Sequence, residues 1–216
     1  VKVRDRLGSG KEVDKSVRIL NRIIRWTHSG IRAEAESRHV EILSKETGLG
    51  EANMVVALGA KSHEGKGELV YAPLGEAAAS MYRSCVTRAT YLALDRPDIV
   101  FAVKEACRDM SAPITASWEK IKRVVRYLKG EPRLVYEYRW QGQEDLTVYV
   151  DTDWAGCYKT RKSTSGGAIV RGGHLLKHWS TTQQTIALSS GEAELQGILK
   201  GAAEGKGIQS VGMDLN

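Results

Sequence analysis

Cysteine is scarce. Cys85, Cys107 and Cys157 are the only three in 216 residues; they are odd in number, scattered and without the short spacings of a metal site. They read as ordinary reduced thiols, which fits an intracellular protein. Long apolar runs are absent, so nothing spans a bilayer and no membrane partner is expected. The N-terminus carries no signal-peptide pattern and opens on Val1 instead of Met, so the chain is expected to begin inside a longer reading frame. Two histidines tempt as ligands and are set aside: His39 has Leu43 at i+4, where a partner ligand would stand, and reads as structural, and His63 stands in no catalytic context. Acidic charge is outnumbered, 26 Asp and Glu against 32 Lys and Arg, for a net +6 and a pI near 9.2. That balance suits a phosphate-rich partner without deciding for one. The length allows one or two domains with a real core.

The richest stretch runs from Leu146 to Glu194. Leu146, Val148 and Val150 alternate at period two, the pattern of a half-buried strand that ends near Asp151, with Asp153 just beyond. KSTSGGAIV (Lys162–Val170) and HLLKHW (His174–Trp179) flank Gly172-Gly173 and read as a β-hairpin with a primed turn. Ser189 and Glu192 then form a capping box at the start of a helix, so Glu192 has the structural task and Glu194 is left for another. A strand-end aspartate and a first-turn glutamate on rigid elements could share Mg²⁺, and two such ions could clamp a phosphodiester. Spacing alone fits equally well a solvated aspartate beside an ordinary helix cap.

The residues go further. Asp151, Asp153, Trp154, Ala155 and Gly156 are followed by Arg161, Ser163, Thr164, Ser165 and Gly166, then Trp179, Ser180 and Gln183. Ser189, Ser190, Glu192, Ala193 and Glu194 complete the series. In order and spacing they resemble the S-D-A-D-W-A-G, R-x-S-T-S-G, W-S-S-K-K-Q and S-S-x-E-A-E-Y pieces of the ribonuclease H domain in copia-type LTR retrotransposon polyproteins. The resemblance implies two-metal hydrolysis of RNA in RNA–DNA hybrids, with Asp151 and Glu194 as catalytic metal ligands for Mg²⁺ (Mn²⁺ substituting) and Asp153 a weak third. VYVDTD is not a polymerase YVDD, because Thr152 separates the aspartates; polymerase aspartates are expected upstream of Val1.

Residues 1–49 read as the tail of another domain, and their resemblance to the same family implies the end of a reverse transcriptase palm. Val1–Leu7 alternates like a strand, Lys15–Thr27 places Val17, Leu20 and Ile24 at helical spacing, and Gly30–Leu49 gives an extended piece and then a helix stopped by Gly48. The segment from Ala33 to Leu43 resembles the family's Y-E-A-D-x-R-H-x-E-I-L, with Ala33 and Glu36 replacing Tyr and Asp. Residues 50–75 lack any sustained period and read as a linker. Residues 76–133 read as a helical unit. Glu76–Leu94 carries Met81, Cys85, Ala89 and Leu92 at helical spacing; Arg96–Met110 has Pro97 in a first turn and Ile99, Val103 and Ala106 as its apolar side. Ser117–Gly130 runs from a serine cap to a glycine stop, with Trp118, Ile121, Val125 and Leu128 inward. Leu134–Trp140 alternates as a strand expected to lead into the ribonuclease H sheet within residues 134–216.

Lys120, Lys122, Arg123, Arg126 and Lys129 leave the last of these helices basic, ordinarily a solubilising face. The segment from Tyr82 to Gly130, including Arg96-Pro97-Asp98-Ile99 and Lys122-Arg123-Val124, resembles the family's connection between reverse transcriptase and ribonuclease H. The resemblance implies that the five cations contact an RNA–DNA hybrid or template–primer duplex through its backbone. The expected fold is α/β: a truncated ribonuclease H-like unit of three antiparallel strands plus a helix, preceded by a helical palm-end and thumb-like region. One departure stands out. The family's third carboxylate lies on a strand after the helix, which is expected to end near Gly205–Gly207, while Asp214 stands in the wrong context. The chain is thus expected to be a polyprotein fragment inactive alone, or else a non-catalytic nucleic-acid-binding remnant. Its implied partners are the rest of the polyprotein and a nucleic-acid duplex, in a cytoplasmic virus-like particle and the nucleus.

Overall fold

The computed structural model describes residues 5–35, 37–59, 72–142, 144–157 and 159–215. Most of the Val1–Leu7 strand, Glu36, His63 and the stretch 60–71 of the expected linker lie outside them. Two antiparallel sheets and five helices form two units, Val1–Glu137 and Tyr138–Asn216.

The first unit corrects the expected helix at Lys15–Thr27. Instead β1 (Ser16–Ile19) and β2 (Arg22–Thr27) form a hairpin, with Val17 opposite Ile24 and Ile19 opposite Arg22. Leu20 and Asn21 both take positive φ, 48° and 60°, a two-residue turn whose twist suits a hairpin. β-Branched Val17, Ile19, Ile23 and Ile24 fit the pleat better than a helix, and cross-strand pairing overrides the accidental helical spacing. β3 (Gly30–Ala35) adds to β2, and β4 (Val135–Arg139) closes the order β1-β2-β3-β4. The strand expected to enter the ribonuclease H sheet therefore joins the first sheet, where Arg32 bonds Glu137 at 3.1 Å. The region ahead of the second unit is thus not simply helical.

Helices α1 (Arg38–Glu46), α2 (Glu76–Ala93), α3 (Val100–Cys107) and α4 (Thr115–Gly130) share one core. Val40 and Leu43, then Tyr82, Cys85, Val86, Ala89 and Leu92, then Ile99, Val103 and Ala106, and finally Ile121, Val124, Val125 and Leu128 are buried in it. Each large aliphatic among them contributes about 1.5–3 kcal/mol relative to exposure. Met81, expected inward, is exposed, and its neighbour Tyr82 takes the core position, its hydroxyl donating to the Ala106 carbonyl at 2.6 Å. Gly48 does stop α1, at φ +66°. Ser117 is not the N-cap of α4: the helix begins at Thr115, and buried Ser117 reaches back to accept the Ile114 N–H at 3.2 Å.

The second unit matches the expected three strands and a helix. β5 (Leu146–Thr152), β6 (Thr164–Arg171) and β7 (His174–Thr182) lie in that order, antiparallel, and Gly172-Gly173 turns β6 into β7. Among the described residues β5 is an edge strand. α5 (Ser190–Asp214) packs on β5 and β6 and continues past Gly205. Its glycines are contacts, not stops. A Cβ on Gly197 would overlap Thr152, one on Gly201 would overlap Val150, and one on Gly205 would sit 2.9 Å from Val148. Spaced by four, Ala193, Gly197, Gly201 and Gly205 form one small-residue line along which helix and strand meet backbone to side chain.

Candidate functional site

Strand alternation decides where Asp151 sits. Val148, Val150 and Thr152 touch the glycine line of α5, so Thr147, Tyr149 and Asp151 project from the opposite face of β5. Glu194 follows buried Ala193 and is exposed on α5. No hydrogen bond or ion pair engages either carboxylate among the described residues. Glu192 has the structural task read for it: its N–H donates to Ser189 Oγ at 3.1 Å and its carboxylate accepts the Leu188 N–H at 2.7 Å. Asp153 is likewise committed. Its Oδ1 accepts the Thr164 N–H at 2.5 Å, and its carboxylate lies over the backbone of Gly156, which gives it a turn function.

Exposed carboxylates without partners are hard oxygen donors of the kind that suit Mg²⁺, which keeps several waters and needs few protein ligands. Asp151 and Glu194 fit an ion in that limited sense. No group of three His, Cys, Asp or Glu that could hold a metal occurs among the described residues.

Sequence reasoning matched Ser163, Thr164, Ser165 and Gln183 to the family pattern without a role for them. The structure supplies one. Ser163, Ser165 and Gln183 are buried. Ser163 Oγ accepts the Ala155 N–H at 2.9 Å, and the Ser163 carbonyl accepts the Gln183 N–H at 2.8 Å. Gln183 Nε2 donates to Ser165 Oγ at 2.9 Å and to the Ala193 carbonyl at 2.8 Å, while Thr152 Oγ1 donates to Ser165 Oγ at 3.4 Å. Trp154 Nε1 donates to the Ala187 carbonyl at 3.1 Å. Small hydroxyls and one amide thus hold the strand-end loops and the first turn of α5 as one cluster.

In the first unit the five basic residues of α4 have partners within the fold. Lys120 pairs with Asp109 at 2.6 Å and Lys122 with Glu119 at 2.8 Å. Arg123 donates to the carbonyls of Ala57, Leu58 and Gly59, Arg126 to Asn53, and Lys129 to Leu49, Gly50 and Ala52. Three of the five cations therefore staple the coil at 49–59 to the helix by donating to its backbone carbonyls. A cavity of about 340 Å³ opens beside this coil, lined in part by Met54, Val56, Arg96, Asp98, Tyr127 and Glu131. Buried Arg96 donates to both Asp98 oxygens, at 2.9 Å and 2.6 Å, so its polar wall is largely self-paired.

Comparison with known proteins follows the same lines. Over 124 residues the chain is 36% identical to secreted RxLR effector protein 161 of Plasmopara viticola, covering 57% of this chain and 87% of that protein. Over 123 residues it is 34% identical to the retrovirus-related Pol polyprotein from transposon RE2 of Arabidopsis thaliana, covering 57% of this chain and 8% of the polyprotein. The chain is a homologue of retrotransposon Pol polyproteins. An uncharacterized mitochondrial protein of Arabidopsis thaliana matches this Pol-family chain at 36% over 125 residues. The Pol-family chain spans about half of that relative's length (52%) and under a tenth of the RE2 polyprotein. No family model and no solved structure matches it.

Proposed function

We propose that the second unit is the opening part of a ribonuclease H-like domain, which in the intact polyprotein hydrolyses the RNA strand of RNA–DNA hybrids. The observation that supports this reading is the docking of α5 on β5. The glycine line sets the early turns of the helix, which carry Glu194, against the end of the strand that carries Asp151, whose side chain leaves the other face of β5. In that setting the two carboxylates would hold Mg²⁺, or Mn²⁺ in its place; a bound ion supplies charge neutralisation at the phosphodiester and a water of lowered pKa. The chain's own contribution is to present two rigid oxygen donors and to hold them with the Ser165–Gln183 cluster. With no third donor grouped with these carboxylates among the described residues, the chain alone is expected to be inert.

The first unit, on the same reading, is the palm end and thumb-like connection of a reverse transcriptase, lying against a template–primer duplex. Backbone contact by α4 then draws least on Lys129, whose three donors all go to the coil at 49–59, and more on the other four cations, since Arg126 gives the coil only its Nε–H. The absence of a third donor among the described residues favours a second reading, a non-catalytic nucleic-acid-binding remnant.

A labelled RNA–DNA hybrid tests both. The expected result is no Mg²⁺-dependent cleavage by this chain, with hybrid binding that weakens as salt rises. Cleavage abolished by Asp151→Asn and by Glu194→Gln would show that two carboxylates suffice and would overturn the inert state. Absence of hybrid binding at low salt would remove the nucleic-acid reading for both units.

A further inference from the structure

The hydrogen bonds around Gln183 form a path with two informative ends. Thr152, next to Asp151, donates to Ser165 Oγ; Gln183 Nε2 donates to the same oxygen and to the carbonyl of Ala193, next to Glu194. The path therefore starts one residue after the candidate strand carboxylate and ends one residue before the candidate helix carboxylate. Every member lies in the second unit, and Ser165 and Gln183 are 2% and 7% exposed, so water does not compete for these bonds.

The orientation of the amide is informative too. Both of its acceptors, a hydroxyl oxygen and a backbone carbonyl, take the NH₂ end, while Gln183 Oε1 is buried with no hydrogen-bond donor among the described residues. A buried acceptor left unmatched is costly. The fold bears that cost where the amide bridges strand end and helix turn, and helix position here has little slack, since Gly197 already lies against Thr152.

We infer that Gln183, acting through Ser165, is a positioning residue that fixes the separation of Asp151 and Glu194. Its part in metal binding rests on the metal reading proposed above; the geometric part does not. Gln183→Met keeps the length of the side chain and removes both donors. Ser165→Ala removes only the strand-end acceptor and serves if Gln183→Met fails to fold.

Two measurements on the full chain decide the matter. In the first, nitroxide labels are placed through Asp151→Cys and Glu194→Cys, with Cys107 and Cys157 changed to Ser and buried Cys85 retained. Pulsed EPR should give one narrow distance between the labels, broadened or shifted by Gln183→Met or Ser165→Ala at temperatures where the fold is intact. An unchanged distribution in a folded variant overturns the inference and leaves Gln183 a stability residue only.

The second measurement uses Mn²⁺ alone, with its affinity read from water-proton relaxation and the native carboxylates in place. Gln183→Met should weaken binding about tenfold, the scale of outer-shell effects on metal sites, and Asp151→Asn and Glu194→Gln, which remove the ligands themselves, should weaken it at least as much. Gln183→Met should add nothing to Glu194→Gln. Loss in the carboxylate variants with none in Gln183→Met also overturns the inference. If neither carboxylate affects Mn²⁺, it is the metal reading that falls, and the label distances still decide the positioning role.

Discussion

Gly201 lies so close to Val150 that a Cβ built on the glycine would fall inside the van der Waals envelope of Val150 Cγ1. Glycine inside a helix costs about 1 kcal/mol relative to alanine, and α5 accepts that cost at Gly197, Gly201 and Gly205 to bring the helix onto β5. Gly201→Ala recovers propensity but forces helix and strand apart, and overpacking of this kind costs about 1–3 kcal/mol. Net destabilisation is expected, larger for Gly201→Leu. Gly207→Ala, where the added Cβ meets nothing within 4 Å, should stabilise. Urea unfolding of the three variants checks the contrast.

That helix shows what the sequence revealed and what it concealed. Its start was legible because Ser189 and Glu192 act within one turn, and so was the β6–β7 hairpin, whose Gly172-Gly173 turn is also local. Its end was not: Gly205 and Gly207 look like stops until the position of Val148 is known. Val17, Leu20 and Ile24 likewise satisfy a helical period, and only pairing of Val17 with Ile24 and the positive φ of Leu20 and Asn21 mark a hairpin. At the candidate site Asp151, Glu192 and Glu194 could be singled out by residue type. The tasks of Gln183 and Ser165 depend on partners 10 to 18 residues away, which no local pattern encodes. The basic face of α4 was visible, but not the coil carbonyls that occupy three of its cations.

Glu34 makes the first unit sensitive to acid. Burial pushes its carboxyl upward, but hydrogen bonds from Arg25 and Arg133 and their charge outweigh this and hold it below the usual carboxylate range. A folded-state value depressed below the unfolded one contributes stability above the unfolded pKa and loses it as pH falls through the folded one. The wild type should therefore lose stability as pH falls below the ordinary glutamate range, more steeply than Glu34→Gln. At neutral pH Glu34→Gln should cost about 1–3 kcal/mol, the scale of hydrogen bonds to charged groups, reduced because both arginines reach solvent. Urea midpoints across pH measure both effects.

Lys129 places one ammonium among the carbonyls of Leu49, Gly50 and Ala52. Lys129→Met keeps the aliphatic stem and removes the charge, which should raise amide exchange within residues 49–59 by the equivalent of about 1–2 kcal/mol. The core of α2 and α4 should exchange as before. If hybrid affinity falls in Lys129→Met while exchange at 49–59 is unchanged, the lysine serves phosphate and not the coil.

Trp179 stands opposite Gly167 across β6 and β7, with its indole laid over the glycine where a Cβ would otherwise be. An edge or central strand gains little from glycine except room for a neighbour, and here that neighbour is a large ring that is 8% exposed. The ring lies on the face that α5 covers, because Gly167 shares that face with Val150 through their pairing. Gly167→Ala must displace the ring, and the displacement should be felt at both the sheet and the helix, at a cost of about 1–3 kcal/mol. The chain has five tryptophans, so the signal of Trp179 is isolated as the difference from Trp179→Phe. In Gly167→Ala that difference should shift to longer wavelength and lose its near-ultraviolet dichroism. Retention of both signals with unchanged stability would mean that the strand moves and the ring stays, and the close approach of α5 to β5 would then have to yield in its place.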